Sequence, residues 1–338
     1  MNLKTFIIAE AGVNHNGDRK LALRLVEEAK KAGADAVKFQ TFTADDLVLK
    51  TAPKAAYQTL NDNADSQYEM LKRLELDEND HKAIIEQCNK LGLAFMSTPF
   101  SISSAQLLDR LGMKIWKIPS GEITNLPLLR FIGLHAEKII MSTGMATIRE
   151  VETAVNVLVN AGADKNNICL LHCTTAYPTP LEQVNLRAIR ELEKTGCGAV
   201  GLSDHTLDTA VPSLAVAMGA TVIEKHLTLD NNMEGPDHKA SLNPEKFQEM
   251  VENIRKTEKI LGDSTKKTVE AEKENLIVAR KSIVAATDIK KGETFTTKNL
   301  TTKRPATGLS PMAWDELIGH KAKQDYIANQ QISTKELK

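Results

Sequence analysis

Short apolar runs alternate with amphipathic segments along about the first 260 residues of the chain. Each run is short enough to be a buried strand, and each following segment carries apolar residues at the spacing of a helix. The segment at 18–32 begins with the capping residue Asp18 and places Leu21, Leu25 and Ala29 on one face. Eight strands are predicted in this way, at 6–9, 34–37, 93–96, 114–118, 138–141, 168–171, 199–202 and 221–223.

Eight strands that alternate with helices predict an α/β fold, a closed (β/α)8 barrel of the TIM type, over residues 1–262. One connection is unusually long. It runs from 41 to 76, and its first half is polar and lacks clear periodicity. Loops of this length are usually lids or binding loops, so we expect this segment to serve the site.

The character of the sequence changes after a predicted helix at 244–261. Residues 263–279 are predicted to be a charged linker that includes a connecting helix. Short strands and tight turns then indicate a small, mostly β domain over residues 280–338. A lone core of about this size is only marginally stable, so we expect the domain to pack on something else.

Composition excludes some classes of function. The chain of 338 residues has 43 basic and 44 acidic residues, so no overall field favours nucleic acid or a membrane surface. Its first apolar run is too short for a signal peptide or a membrane span, which predicts a cytoplasmic protein. The four cysteines show no paired CxxC spacing and are interpreted as core thiols.

Polar residues cluster where the predicted strands end. Barrels of this type build their active sites at the carboxyl ends of the strands, so residues far apart in sequence are brought to one mouth. Single lysines, serines or histidines at such positions are commonly solvated or held by loop hydrogen bonds, but their coincidence argues for a site. The residues predicted to converge are Glu10, Lys38, Lys117, Ser142, His172, Ser203, His205 and His226.

His205 and His226 follow neighbouring predicted strands at matching positions, so the two imidazoles are expected to lie side by side. Neutral imidazoles bind first-row divalent ions, and such an ion acts as a Lewis acid on a carbonyl oxygen. Lys38 and Lys117 predict a pocket for a phosphate or carboxylate. Glu10, Glu122 and Glu224 are candidates for binding hydroxyls, metal-bound water or protons. This chemistry suits carbon–carbon bond formation between a phosphorylated anion and a polyhydroxylated aldehyde.

Many separated motifs resemble the sialic acid synthases. The motifs lie at 10–17 (EAGVNHNG), 37–40 (VKFQ), 97–100 (STPF), 117–122 (KIPSGE), 142–145 (STGM), 171–174 (LHCT), 201–206 (GLSDHT) and 235–238 (GPDH). The segment at 303–305 (KRP) resembles the antifreeze-like (SAF) domain of that family. The resemblance implies a transferase that condenses phosphoenolpyruvate with N-acetylmannosamine to give N-acetylneuraminate and phosphate.

The resemblance also implies roles for individual residues. His205 and His226 would bind Mn2+, or Mg2+ or Co2+ in its place. The catalytic candidates are Glu10, Glu122, His205, His226 and Asp237. The residues expected to bind phosphoenolpyruvate or the N-acylated mannose-type sugar are Lys38, Gln40, Thr98, Lys117, Ser120, Ser142, Thr175, Tyr177 and Ser203. In a domain-swapped homodimer, Arg304 of one subunit would reach the sugar bound by the other.

Several alternatives stay open. Thr175 stands where some relatives have a sugar-contacting asparagine, so a legionaminic acid synthase that uses a 2,4-diacetamido-2,4,6-trideoxymannose is an alternative. A keto-deoxy-octulosonate synthase would use a phosphorylated sugar. A Schiff-base aldolase would use Lys38 or Lys117 as a nucleophile. The alternative that is not an enzyme is a non-catalytic carbohydrate-binding protein.

Overall fold

The computed structural model describes residues 4–337 and divides the chain into two compact units, the first ending at Asp263 and the second beginning at Ser264. The first unit contains eight strands. They are β1 (Phe6–Gly12), β2 (Ala36–Thr41), β3 (Ala94–Pro99), β4 (Ile115–Ile118), β5 (Lys138–Ser142), β6 (Ile168–Cys173), β7 (Ala199–Asp204) and β8 (Val222–His226).

Eleven α-helices lie in the described part of the first unit. They are α1 (Arg19–Lys31), α2 (Ala44–Leu47), α3 (Ala56–Asn61), α4 (Gln67–Arg73), α5 (Glu78–Leu91), α6 (Ile102–Arg110), α7 (Leu126–His135), α8 (Ile148–Ala161), α9 (Ile189–Glu193), α10 (Val211–Ala217) and α11 (Pro244–Leu261).

All eight strands are parallel, in the order β3-β2-β1-β8-β7-β6-β5-β4, and β3 packs beside β4. The sheet therefore curls into a nearly closed barrel, which confirms the predicted (β/α)8 architecture. Alternate side chains of each strand point inward. At the amino-terminal end these are apolar and pack together as Ile8, Ala36, Met96, Ile140, Cys169, Leu171 and Val222. A larger apolar layer lies between the strands and the surrounding helices.

Local signals explain several helix ends. The Asp18 side chain accepts a hydrogen bond from the backbone N–H of Lys20 at the start of α1. At the start of α5, the backbone N–H groups of Asp77 and Asp80 each donate a hydrogen bond to the other residue's carboxylate. Gly92 ends α5 with a φ of 62°, in the left-handed region that glycine adopts without a Cβ penalty. These ends lie close to where the sequence predicts them.

The connection at 41–76 is more ordered than its sequence suggests, because it contains α2, α3 and α4. Its apolar residues form a small core together with Val13 from the loop after β1, separate from the core of the barrel. The buried members of this core are Val13, Phe42, Ala44, Met70, Leu71 and Leu74. We call residues 42–76 the excursion.

The second unit contains α12 (Lys273–Ala279), β9 (Ser282–Ala285), β10 (Leu300–Lys303) and α13 (Trp314–Leu317). Strands β9 and β10 pair antiparallel, and a separate core includes Ile283, Phe295 and Tyr326. The Tyr326 hydroxyl donates a 2.6 Å hydrogen bond to the buried Glu336 carboxylate. Within residues 4–337, no helix has the length and apolar character needed to cross a membrane.

Candidate active site

A cavity of about 700 Å³ opens at the carboxyl ends of the barrel strands. Every residue of the first unit that was predicted to be catalytic, to bind substrate or to bind metal lines it. These residues are Glu10, Lys38, Gln40, Thr98, Lys117, Ser120, Glu122, Ser142, Thr175, Tyr177, Ser203, His205, His226 and Asp237. Arg304 belongs to the second unit, where it is exposed directly after β10, and its role stays a prediction.

His172 was wrongly expected at this mouth. Its Nε2 lies 2.6 Å from the backbone oxygen of Val184, and the residue does not line the cavity. Strand alternation explains the error, because Leu171 and Cys173 on either side of His172 point into the barrel. Cys173 is a free, buried thiol, as the sequence interpretation has it, and it also lines the cavity.

Lys38, on β2, contacts groups from the neighbouring strands β1 and β3 and from β8 beyond β1. Its Nζ lies 2.6 Å from Glu10 Oε2 and 3.9 Å from Glu224 Oε2, and it donates to Thr98 Oγ1 at 3.0 Å. Gln40 Nε2 donates to the other Glu10 oxygen at 3.2 Å. Because Lys38 and Glu10 are both buried, little solvent screens their attraction.

Lys117 forms the second half of this network. Its Nζ donates to Ser142 Oγ at 2.8 Å and lies 3.4 Å from Glu224 Oε1. Ser203 Oγ donates to the same Glu224 oxygen at 3.0 Å. Glu224 therefore lies between the two buried ammonium groups, a position that the sequence interpretation did not assign to it.

The network separates the pKa values of its two carboxyl groups. Burial raises the pKa of Glu10 to about 7, although the Lys38 ammonium opposes the shift. Burial also disfavours ionised Glu224, but Lys117 and Lys38 more than offset it and lower the pKa of Glu224 to about 2. Burial lowers the pKa of Lys117. Near neutral pH, Glu10 can thus gain or lose a proton while Glu224 stays ionised.

The Ser120 hydroxyl lies beside the backbone of the β5–α8 loop. It accepts a 2.9 Å hydrogen bond from the Gly144 N–H and lies 3.1 Å from Cys173 Sγ. A Cβ on residue 144 would approach Ser120 Oγ to 2.9 Å and Cys173 Sγ to 2.7 Å, so this close approach requires glycine. Lys117, Ser120 and Ser142 accordingly form one hydrogen-bonding side of the cavity.

The two predicted metal ligands are neighbours, with ring centroids 5.6 Å apart. His205 Nδ1 lies 2.7 Å from the backbone oxygen of Thr174. Because a carbonyl oxygen only accepts, we assign the proton of the neutral ring to Nδ1, which leaves the Nε2 lone pair available. Burial lowers the pKa of His205 and lowers that of His226 further, so both imidazoles are neutral at pH 7.

His226 Nδ1 is buried and has no hydrogen-bond partner among the described residues. Two neutral imidazoles, one with an unsatisfied nitrogen, suit a first-row divalent ion. Across residues 4–337, no group of three or more His, Cys, Asp or Glu side chains is arranged to hold a metal.

Other predicted residues surround the imidazoles. The Tyr177 ring lies over that of His205, with a centroid distance of 4.3 Å. Asp237 Oδ2 lies 3.9 Å from His226 Nδ1, and burial raises the pKa of Asp237 to about 6. Glu122 is farther out on the wall, half-buried, and accepts a 2.6 Å hydrogen bond from Asn125 Nδ2.

The connection at 41–76 lines the cavity, as its length led us to expect, but sequence reasoning did not predict which of its residues do so. The excursion contributes Leu47, Val48, Met70, Leu71 and Leu74 together with Gln58 and Gln67. The apolar spacing of Met70, Leu71 and Leu74 was the available signal for α4, but the polar first half of the excursion obscured it.

Comparison with known proteins agrees with this architecture. The chain is 52% identical over 332 residues to the N,N'-diacetyllegionaminic acid synthase of Campylobacter jejuni subsp. jejuni serotype O:2, covering 97% of this chain and 99% of the relative. It is 46% identical to the synthase of the same name from Legionella pneumophila subsp. pneumophila, covering 97% and 93%. The crystal structure of N-acetylneuraminic acid (sialic acid) synthetase from Leptospira borgpetersenii serovar Hardjo-bovis, in complex with citrate, superposes with a TM-score of 0.72 at 33% identity, covering 81% of this chain and 91% of that one.

Family models match both parts of the sequence. The SAF domain matches residues 280–338, where the antifreeze-like domain was expected, and the NeuB family matches residues 25–266. The chain belongs to the NeuB family of sialic acid synthases and carries a SAF domain at its C-terminal end.

Proposed function

We propose that this protein joins C3 of phosphoenolpyruvate to the aldehyde carbon of an N-acylated mannose-type sugar, giving a nine-carbon 2-keto sugar acid and phosphate. The observation that carries the proposal is the pair of buried ammonium groups, Lys38 and Lys117, with Glu224 between them and two neutral imidazoles beside them. Ammonium groups attract the anionic ester, and an aldehyde oxygen is activated next to the imidazoles.

Atoms balance over two stages. In the first, C3 of phosphoenolpyruvate bonds to the sugar C1 and the aldehyde oxygen takes a proton. In the second, water adds at C2 and loses a proton. The new C2 hydroxyl then loses its own proton as its oxygen forms the C2=O bond, and the C2–O bond to phosphate breaks, so that phosphate leaves with the bonding electron pair and takes up that proton. The keto group remains on the sugar acid and phosphate leaves. Lys38 and Lys117 hold the anionic groups, aided by Ser120, Ser142 and Ser203.

Glu10 is the group best suited to move a proton, because its pKa of about 7 lies near the working pH. Glu224 stays ionised and keeps the ammonium groups charged. His205 and His226 would hold a divalent ion such as Mn2+, which when bound supplies Lewis-acid polarisation of the aldehyde oxygen. The Tyr177 ring packs on that of His205 and limits the space beside it.

The two legionaminic acid synthases at 52% and 46% identity support the diacetamido sugar as the acceptor. We therefore propose 2,4-diacetamido-2,4,6-trideoxymannose as the main substrate, ahead of the N-acetylmannosamine that motif resemblance alone placed first. Position 175 is threonine where some relatives have a sugar-contacting asparagine, which agrees with placing the diacetamido sugar first.

A substrate panel tests the proposal. Purified protein with Mn2+ and phosphoenolpyruvate is offered the diacetamido sugar, N-acetylmannosamine or N-acetylmannosamine 6-phosphate, and phosphate release and product mass are recorded. We expect the largest kcat/KM with the diacetamido sugar. Release that depends on the 6-phosphate alone, or no sugar-dependent release, would contradict the proposal.

The assembly is a separate part of the proposal. We propose a domain-swapped homodimer in which Arg304 from one subunit contacts the sugar bound by the other. The exposure of Arg304 supports this, since its guanidinium is available to a partner. Arginine presents a planar set of donors suited to a carbonyl or hydroxyl group of the sugar.

A further inference from the structure

We infer that the excursion forms the subsite for the two groups by which a 2,4-diacetamido-2,4,6-trideoxy sugar differs from N-acetylmannosamine, namely the acetamido group at C4 and the methyl group at C6. The inference rests on the proposed function. It assigns a role to the cavity-lining residues of the excursion, which take no part in the proposed chemistry.

The cavity has two walls of different chemistry. Barrel strands supply charged and hydroxyl groups, whereas the excursion supplies the side chains of Leu47, Val48, Met70, Leu71 and Leu74. Sugar hydroxyls bind poorly against these apolar side chains, because each hydroxyl would lose its hydrogen bonds to water without gaining a partner. Methyl groups, in contrast, are stabilised by burial against them.

Two amide side chains lie in the same wall. Gln58 and Gln67 both line the cavity, and Gln67 Nε2 donates to Gln58 Oε1 at 3.5 Å. A glutamine amide offers donors and an acceptor, which match the N–H and C=O of an acetamido group. The wall therefore combines amide and apolar side chains, which match the amide and the methyl of an acetamido group.

The wall is held in place at several points. His81 joins the ends of the connection, with Nδ1 2.8 Å from Asp77 O and Nε2 2.8 Å from Thr41 Oγ1. At the far side, Asn63 Nδ2 donates to Glu234 Oε1 at 2.9 Å, and Gly235 N donates to Asn61 O at 3.3 Å. The excursion is therefore tied to the β8–α11 loop that carries Asp237, and its apolar face is positioned before substrate binds.

Leu47 and Leu49 provide a matched pair of variants. Leu47 lines the cavity and is half-buried, whereas Leu49 is 78% exposed and does not line it. Leu47→Asn should lower kcat/KM for the diacetamido sugar by about tenfold or more, but that for N-acetylmannosamine by no more than about twofold. Leu49→Asn should leave both values unchanged, and the KM for phosphoenolpyruvate should not move in either variant.

Loss of similar size on both sugars, or no loss on either, would overturn the subsite while leaving the proposed function intact. Failure of the wild-type protein to release phosphate with any of the sugars would overturn the proposed function, and the subsite with it. If thermal melting shows that Leu47→Asn is unfolded, Val48→Thr is judged by the same criterion, since threonine keeps the shape of valine and replaces one methyl group with a hydroxyl.

Discussion

The Lys38 ammonium lies 2.6 Å from Glu10 Oε2 in a buried ion pair at the carboxyl end of the barrel. Burial lowers the pKa of Lys38, but the Glu10 and Glu224 carboxylates more than offset it and raise the pKa overall. Lys38 is thus charged at every working pH, while Glu10 is ionised only in part near pH 7. An anionic substrate that binds Lys38 must compete with ionised Glu10.

This competition predicts that phosphoenolpyruvate binding is linked to protonation of Glu10. Neutral Glu10 does not compete for Lys38, so binding should be tightest below pH 7. The Kd should rise above pH 7, approaching tenfold per pH unit. Calorimetry at pH 8, in buffers with different ionisation enthalpies, should show that about 1 proton is taken up per ligand bound. At that pH Glu10 is mostly ionised in the free protein, and it becomes protonated when the ligand binds Lys38.

Glu10→Gln is the matched variant for this measurement, since it keeps the shape of the side chain and cannot ionise. Its Kd for phosphoenolpyruvate should not rise with pH between 7 and 8.5, and its proton uptake should vanish. Glu224 should not contribute, because its pKa of about 2 leaves it ionised throughout. An unchanged pH slope in Glu10→Gln would show that another group is responsible.

Metal removal tests the assignment of the two imidazoles. Chelation should abolish turnover, and added Mn2+, Mg2+ or Co2+ should restore it. His205→Ala and His226→Ala should resist restoration, because loss of the Lewis acid removes several kcal/mol of transition-state stabilisation. His172→Asn is the control, since His172 is half-buried and bonds to the Val184 backbone outside the cavity. Full turnover by metal-free protein would refute the assignment.

Arg304 is tested by mixing two inactive proteins. Arg304→Ala and His226→Ala should each be nearly inactive. Co-refolding equal amounts should give about half heterodimers, each with one intact site, so roughly a quarter of wild-type activity should return. Activity that stays absent after mixing would place the arginine with its own barrel. Lys298→Ala is the control. Lys298 is another exposed residue of the second unit, and this variant should be active by itself, without mixing.

The strands and the position of the site could be predicted from the sequence, because the spacing of apolar residues marks the strands and polar residues follow at their ends. The eight apolar runs located all eight strands, but they predicted ends that were too early at most strands. Strand β1 continues to Gly12 and β8 to His226, because backbone pairing extends into the polar residues that line the mouth. Those same polar residues were the evidence for a site, and their convergence follows from the barrel.

Side-chain direction and tertiary contacts were harder to predict. His172 and His205 both stand at strand ends, yet only His205 faces the cavity, because the inward side is set by each strand's register. The place of Glu224 between Lys38 and Lys117 depends on contacts across the barrel interior. The excursion gave only a weak periodic signal, since its short helices are stabilised by a small core that includes Val13 from outside the segment.

Oxygen-18 placed in the bridge between C2 and phosphorus of phosphoenolpyruvate distinguishes cleavage of the C–O bond from cleavage of the P–O bond. Attack of C3 on the aldehyde, followed by water addition at C2, requires the C2–O bond to break. The account therefore predicts that the label leaves in inorganic phosphate and that the sugar acid contains none of it. Label retained in the sugar acid would mean that water attacks phosphorus, and it would contradict the mechanism proposed for this site.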